Sequence, residues 1–91
     1  MLKALRAGNG RAMFYYTYVL KSLKDSNLYI GWTIDLKARL KEHNSGGVAA
    51  TKSRIPFKLV YYEACLGREK AIAREKQLKT GFGRAYLKRR F

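Results

Sequence analysis

The chain has 91 residues, with 20 Lys plus Arg against 6 Asp plus Glu and a formal charge of +14. That length excludes two packed domains and a large multi-substrate enzyme. At 47% apolar and 13% aromatic residues, the composition argues against disorder of the whole chain. Cys65 is the single cysteine, which excludes a disulfide framework and a thiolate-only zinc site and suits a reducing compartment.

Residues 1–12 (MLKALRAGNGRA) are basic without an apolar stretch, so they read as a disordered leader, with the domain spanning 13–91. No apolar run approaches the ~20 residues that span a bilayer. The expectation is a cytoplasmic protein without a membrane partner. Solubility alone asks a small domain for a net charge of about 2–8. The larger charge here points to a phosphate polymer as partner.

In chain order, Met13 to Leu20 (MFYYTYVL) is aromatic and β-branched and predicts a strand. Tyr16, Tyr18 and Leu20 share one face; Tyr15, Thr17 and Val19 share the other. Lys21 to Asn27 has turn chemistry, and Leu28 to Trp32 (LYIGW) predicts the second strand of an antiparallel hairpin. Gly31 inside that strand is costly unless something approaches the backbone closely. Thr33 and Asp35 supply cap chemistry for a helix over Leu36 to Asn44, which Gly46 and Gly47 end. On that helix Leu36 and Leu40 face the core, and Arg39 and His43 form a neighbouring stripe.

Val48 to Pro56 reads as a loop, Phe57 to Ala64 (FKLVYYEA) as a third strand, and Arg68 to Thr80 as a helix. Gly81 and Gly83 read as a break before a short, very basic last helix or tail, Arg84 to Phe91. The order β-β-α-β-α predicts an α+β domain, a three-stranded antiparallel sheet with flanking helices.

Few residues offer chemistry. His43 is the lone histidine, and Cys65 reads as a small core residue. Glu75 falls on the apolar stripe with Ala71, Ile72 and Leu78, where a carboxylate needs a cation or a metal beside it. Either a local ion pair or a functional role satisfies that need. By composition alone Tyr18 and Tyr29 read as sheet-packing residues, and Arg39 as a solvated helix residue.

In combination, Tyr16-Thr17-Tyr18, Tyr29-Ile30-Gly31, GWTIDLKARLKEHN and the REKQLK segment at Arg74 to Lys79 resemble the GIY-YIG nuclease family. The likeness runs from Phe14 to about Leu87, and within the family it is to small stand-alone proteins similar to the nuclease domain of the excision-repair excinuclease. The first tripeptide departs from Gly-Ile-Tyr by beginning Tyr16-Thr17, and no Asn follows Glu75.

The resemblance implies Tyr18, Tyr29, Arg39, His43 and Glu75 as catalytic residues, Glu75 as the ligand of one Mg²⁺ (Mn²⁺ as substitute), and Gly31 as the glycine that lets the backbone turn beside the site. It also implies cleavage of phosphodiester bonds in DNA, in repair or turnover, with little sequence specificity. Double-stranded or branched DNA is the expected partner, with RNA and a targeting protein as further ones. Affinity is expected from phosphate contacts by Lys37, Lys41, Lys52, Arg54, Lys79, Arg84, Lys88, Arg89 and Arg90. A tyrosine can relay a proton from water if neighbouring cations lower its pKa from ~10. A non-catalytic nucleic-acid-binding module of the same fold is the alternative.

Overall fold

A computed structural model describes residues 13–91. The expected leader lies outside the described residues. Strands β1 (Tyr15–Ser22), β2 (Leu28–Thr33) and β3 (Phe57–Cys65) form one antiparallel sheet in the order β2-β1-β3. Helices α1 (Leu36–Asn44), α2 (Arg68–Leu78) and α3 (Gly81–Lys88) flank it. The expected fold class is therefore the observed one.

Alternation along β1 divides the core into two layers. Tyr18 and Leu20 join Phe57 and the α1 residues Leu36 and Leu40 on one face. Val19 packs with Ile30, Leu78 of α2 and Leu87 of α3 on the other. Between these layers β3 carries one extra residue: Val19 pairs with Tyr61 but Leu20 pairs with Leu59. That bulge lets Val60 and the next residue, Tyr61, both pack on the α2–α3 side.

Local chemistry sets the helix ends. The Asp35 carboxylate accepts from the Ala38 N–H at 3.0 Å and starts α1. Gly46, at φ +84°, ends it, and the Gly46 and Gly47 N–H groups return to the carbonyls of His43 and Glu42. Thr17, buried in β1, donates to the Ala71 carbonyl at 3.0 Å and pins α2 to the sheet.

The expected break at Gly81 and Gly83 is corrected. Both glycines lie inside the first turn of α3, and Thr80 caps that helix by accepting from the Gly83 N–H at 3.1 Å. Gly83 is buried against α2, where a Cβ would collide with the Gln77 carbonyl and the Leu78 backbone. Close approach, not chain reversal, explains that glycine. Among the described residues, no helix is long and apolar enough to cross a membrane.

Candidate active site

β1 and α1 bring the site together. Tyr18 is buried at 1% exposure because it faces α1 from the central strand. Its neighbour across the hairpin is Gly31. A Cβ on Gly31 would lie 2.5 Å from the Tyr18 hydroxyl and 2.7 Å from Cζ. Gly31 thus makes room for a phenol laid across β2. Its φ is not positive, which corrects the expectation of a backbone turn.

Four side chains form a continuous hydrogen-bonded chain. Arg39 Nε donates to the Tyr18 hydroxyl at 3.2 Å, and that hydroxyl lies 2.9 Å from His43 Nε2. His43 Nδ1 lies 2.8 Å from Thr51 Oγ1, whose own proton goes to the Val48 carbonyl at 3.4 Å. One assignment gives each of these groups a partner. In it Thr51 gives its proton to the Val48 carbonyl, which only accepts, and accepts from His43 Nδ1–H. Neutral His43 then has Nε2 free to accept, and Tyr18 donates to it. Guanidinium N–H groups only donate, which agrees with Arg39 at the head of the chain.

The electrostatics fit that assignment. Burial, aided by the positive charge of Arg39, holds His43 below its ordinary pKa of 6.5, so it is neutral at neutral pH. Burial also raises the Tyr18 hydroxyl above its ordinary value. The hydrogen bond and charge of Arg39 oppose that shift without overcoming it, while Tyr29 and Glu75 add to it. The condition that neighbouring cations lower this pKa is met only in part: Arg39 lowers it, burial outweighs Arg39, and Tyr18 remains a neutral hydroxyl. Tyr29 reaches the same place through its ring, 5.0 Å from the His43 centroid and 6.5 Å from that of Tyr18.

Glu75 stands on α2 and makes no hydrogen bond to the Arg39–Tyr18–His43–Thr51 chain; its charge adds only a minor contribution to the raised pKa of Tyr18. Its side chain is 18% exposed and paired with Lys79 Nζ at 2.7 Å. Arg74 does not supply the counter-charge: its guanidinium binds Glu63 and Gln77. Among the described residues no three His, Cys, Asp or Glu side chains form a metal cage. One mostly buried carboxylate, with only Oε2 occupied by Lys79, fits a hard cation such as Mg²⁺ that keeps water and phosphate oxygens in its shell.

The expected phosphate-binding residues divide into groups. Lys37, Lys41, Lys52, Arg84, Lys88 and Arg89 are exposed. Lys79 is tied to Glu75, and the Arg90 guanidinium stacks 3.7 Å from the Tyr86 ring centre. Arg54 is committed elsewhere: it binds Asp25 at 2.8 Å and lies over Phe57. That contact holds the Asp25 carboxyl down to about 2.

Two contributors escaped the sequence reading. Glu42 reads as a surface charge, yet it grips Arg39 Nη1 at 2.8 Å and orients the guanidinium. Thr51 reads as a loop residue, yet it is fully buried against His43. The available signal was His43 itself, since a buried neutral imidazole needs a partner at each nitrogen.

Known proteins show the same pattern of likeness. A UPF0213 protein of Clostridium perfringens is 46% identical over 65 residues, covering 70% of this chain and 69% of the relative. Another from Syntrophus aciditrophicus is 46% identical over 66 residues, covering 70% and 75%. The solution NMR structure of a UPF0213 protein from Bacillus halodurans superposes with a TM-score of 0.50 at 36% identity, covering 82% of each chain. The family model described as the GIY-YIG catalytic domain matches residues 14–89, which span the whole hydrogen-bonded chain and Glu75, and the protein belongs to that family.

Proposed function

We propose that the protein is a divalent-metal-dependent endonuclease that hydrolyses phosphodiester bonds in DNA, in repair or turnover, with little sequence preference of its own. The observation that carries this reading is the directed chain from Arg39 through Tyr18 and His43 to Thr51. It ends in a buried acceptor at one side and a cation at the other.

In this reading, a water beside Tyr18 gives its proton to the phenol oxygen as the phenol proton moves to His43 Nε2. No free phenolate forms, which agrees with the raised pKa of Tyr18. Thr51 holds the imidazole in the accepting tautomer throughout. Arg39 keeps Nη2 for non-bridging phosphate oxygens, since Nε serves Tyr18 and Nη1 serves Glu42. Glu75 would hold the metal, which supplies Lewis-acid stabilisation of the leaving oxygen when bound. With one protein carboxylate, Mg²⁺ binds weakly until nucleic acid adds its own oxygens. Exposed lysines and arginines on α1 and α3 supply salt-sensitive affinity.

Purified protein assayed on supercoiled, linear, branched and single-stranded DNA with Mg²⁺ or Mn²⁺ tests this. Cleavage is expected to vanish in chelator, in Glu75→Ala and in Tyr18→Phe, while DNA binding persists. Retained cleavage by Glu75→Ala removes the metal assignment. Salt-sensitive binding without cleavage by the wild-type protein makes it a binding module of the same fold.

A further inference from the structure

The cleft onto which Arg39 opens has a second, aromatic wall. Trp32 is the chain's only tryptophan and lies half-buried near the end of the edge strand β2. The Arg68 guanidinium, from the first residue of α2, lies 5.3 Å from the centre of its ring, and the Tyr15 ring lies 6.5 Å away. Tyr15, Trp32, Ile34, Arg39 and Arg68 line a cleft of about 550 Å³. That volume is in the range of small-molecule sites. The two carboxylates at the same cleft are already engaged: Asp35 caps α1 and Glu42 holds Arg39. What the cleft offers a ligand is Arg39 Nη2 and the Trp32 ring with the Arg68 guanidinium over it. A base taking that guanidinium's place on the ring would leave Arg68 for the neighbouring phosphate, the complement of a nucleotide.

We infer that this cleft binds an unpaired nucleobase next to the phosphate held by Arg39, with Trp32 as the stacking platform and Arg68 on the adjoining phosphate. The inference rests on the nuclease reading above and names its substrate class: nucleic acid with an unpaired nucleotide at the cutting site. A paired base has both faces covered by its neighbours and reaches Trp32 only after unstacking. A base already single-stranded, frayed or at a junction stacks directly. Stacking tolerates any base, because each presents a π-face.

Trp32 provides its own readout, since the chain's whole tryptophan emission comes from it. The full chain is titrated in chelator, so binding is seen without cleavage. Three probes are used: a short single-stranded oligonucleotide, the same chain with abasic sites, and a duplex closed at both ends by non-nucleotide linkers. Anisotropy of labelled probes reports binding in parallel.

The single strand is expected to quench Trp32 saturably, and the abasic chain and the closed duplex to bind without quenching. Trp32→Leu is expected to weaken single-strand binding about tenfold, the worth of roughly one stacked base, while leaving duplex binding within about twofold. Trp32→Phe, which keeps a ring and guards against misfolding, recovers most of the loss. Single-strand binding without quenching, or equal quenching by the abasic chain, overturns the base site. Absence of binding to any probe overturns both readings. Base-dependent quenching in a protein that never cleaves when Mg²⁺ is restored keeps the base site and removes the nuclease.

Discussion

Two tyrosine–arginine clusters lie on opposite faces of the same sheet, and they differ in how their charge is closed. On the α1 face, Arg39 is shared between Tyr18 and Glu42, and its last amino group has no partner among the described residues. On the α2–α3 face, Arg74 meets both oxygens of Glu63 at 2.9 and 2.8 Å, and Tyr61 donates to the same carboxylate. Tyr61 also meets the Tyr86 hydroxyl at 3.0 Å, and the guanidinium groups of Arg74 and Arg90 lie over the Tyr86 ring. Burial alone would raise Glu63, but its hydrogen bonds from Arg74 and Tyr61 prevail and keep it below its ordinary value. Burial and that carboxylate raise Tyr61, while its hydrogen bond to Tyr61 lowers Tyr86. In the second cluster Arg74 and Glu63 neutralise each other through two hydrogen bonds, and the cluster joins β3, α2 and α3. In the first, Arg39 gives Glu42 a single hydrogen bond and keeps Nη2 free of a partner among the described residues. The same residue types therefore make a clamp in one place and the candidate active site in the other.

Exchanging the two arginines in turn tests that contrast most strongly. Arg39→Ala is expected to cut cleavage by roughly 10²–10³-fold, the usual worth of one donor to a charged transition state, with little change in melting temperature. Thr51→Val is the next largest, an expected loss of about 10- to 100-fold, below the full value of general-base catalysis. Because His43 is the only histidine, its ring nitrogens can be read directly by ¹⁵N NMR. The proton should sit on Nδ1 in the wild type and move at least partly to Nε2 in the variant. An unchanged tautomer would remove Thr51 from the site.

Arg74→Ala is expected to act the other way. It strands a half-buried carboxylate, costing about 2 kcal/mol, or roughly 10 °C in melting temperature for a domain of this size. Cleavage below the melting range should survive. A comparable fall in turnover would show that the two clusters are coupled.

Acid pH gives the gentlest probe. The folded pKa of His43 lies below its ordinary 6.5. The unfolded chain thus takes up a proton that the folded chain refuses, and stability is complete above about pH 6.5 and declines as pH falls toward the folded value. Cleavage should follow the same group, with its acid limb centred below 6.5. A limb centred above it would assign the proton acceptor to another residue.

Much of this was legible in the sequence because periodicity and cap chemistry report local structure. The bounds of α1 and the two faces of β1 follow directly from apolar spacing and from Asp35 and Gly46. The tyrosines, arginine and histidine could be placed on their elements for the same reason. What sequence could not supply was contact at a distance. Gly83 reads as punctuation, yet its lack of a side chain matters to a neighbouring helix. Thr51 meets His43 only because the intervening loop folds back, and the raised pKa of Tyr18 depends on burial that no residue pattern states. Arg54 looks like any exposed cation until Asp25, 29 positions away, is seen to hold it.

The α2–α3 corner has a consequence for Glu75. Its helix is fastened at Ala71 by Thr17 and at Leu78 by the bare backbone of Gly83, so the carboxylate hangs on a short span between two fixed points. A site built from several ligands can average out small errors in each; the metal site proposed at Glu75 would rest on one carboxylate and have no such tolerance. Enlarging Gly83 would lift one end of the span and tilt Glu75 without touching it. The aim of the carboxylate is set by a residue that carries no functional group.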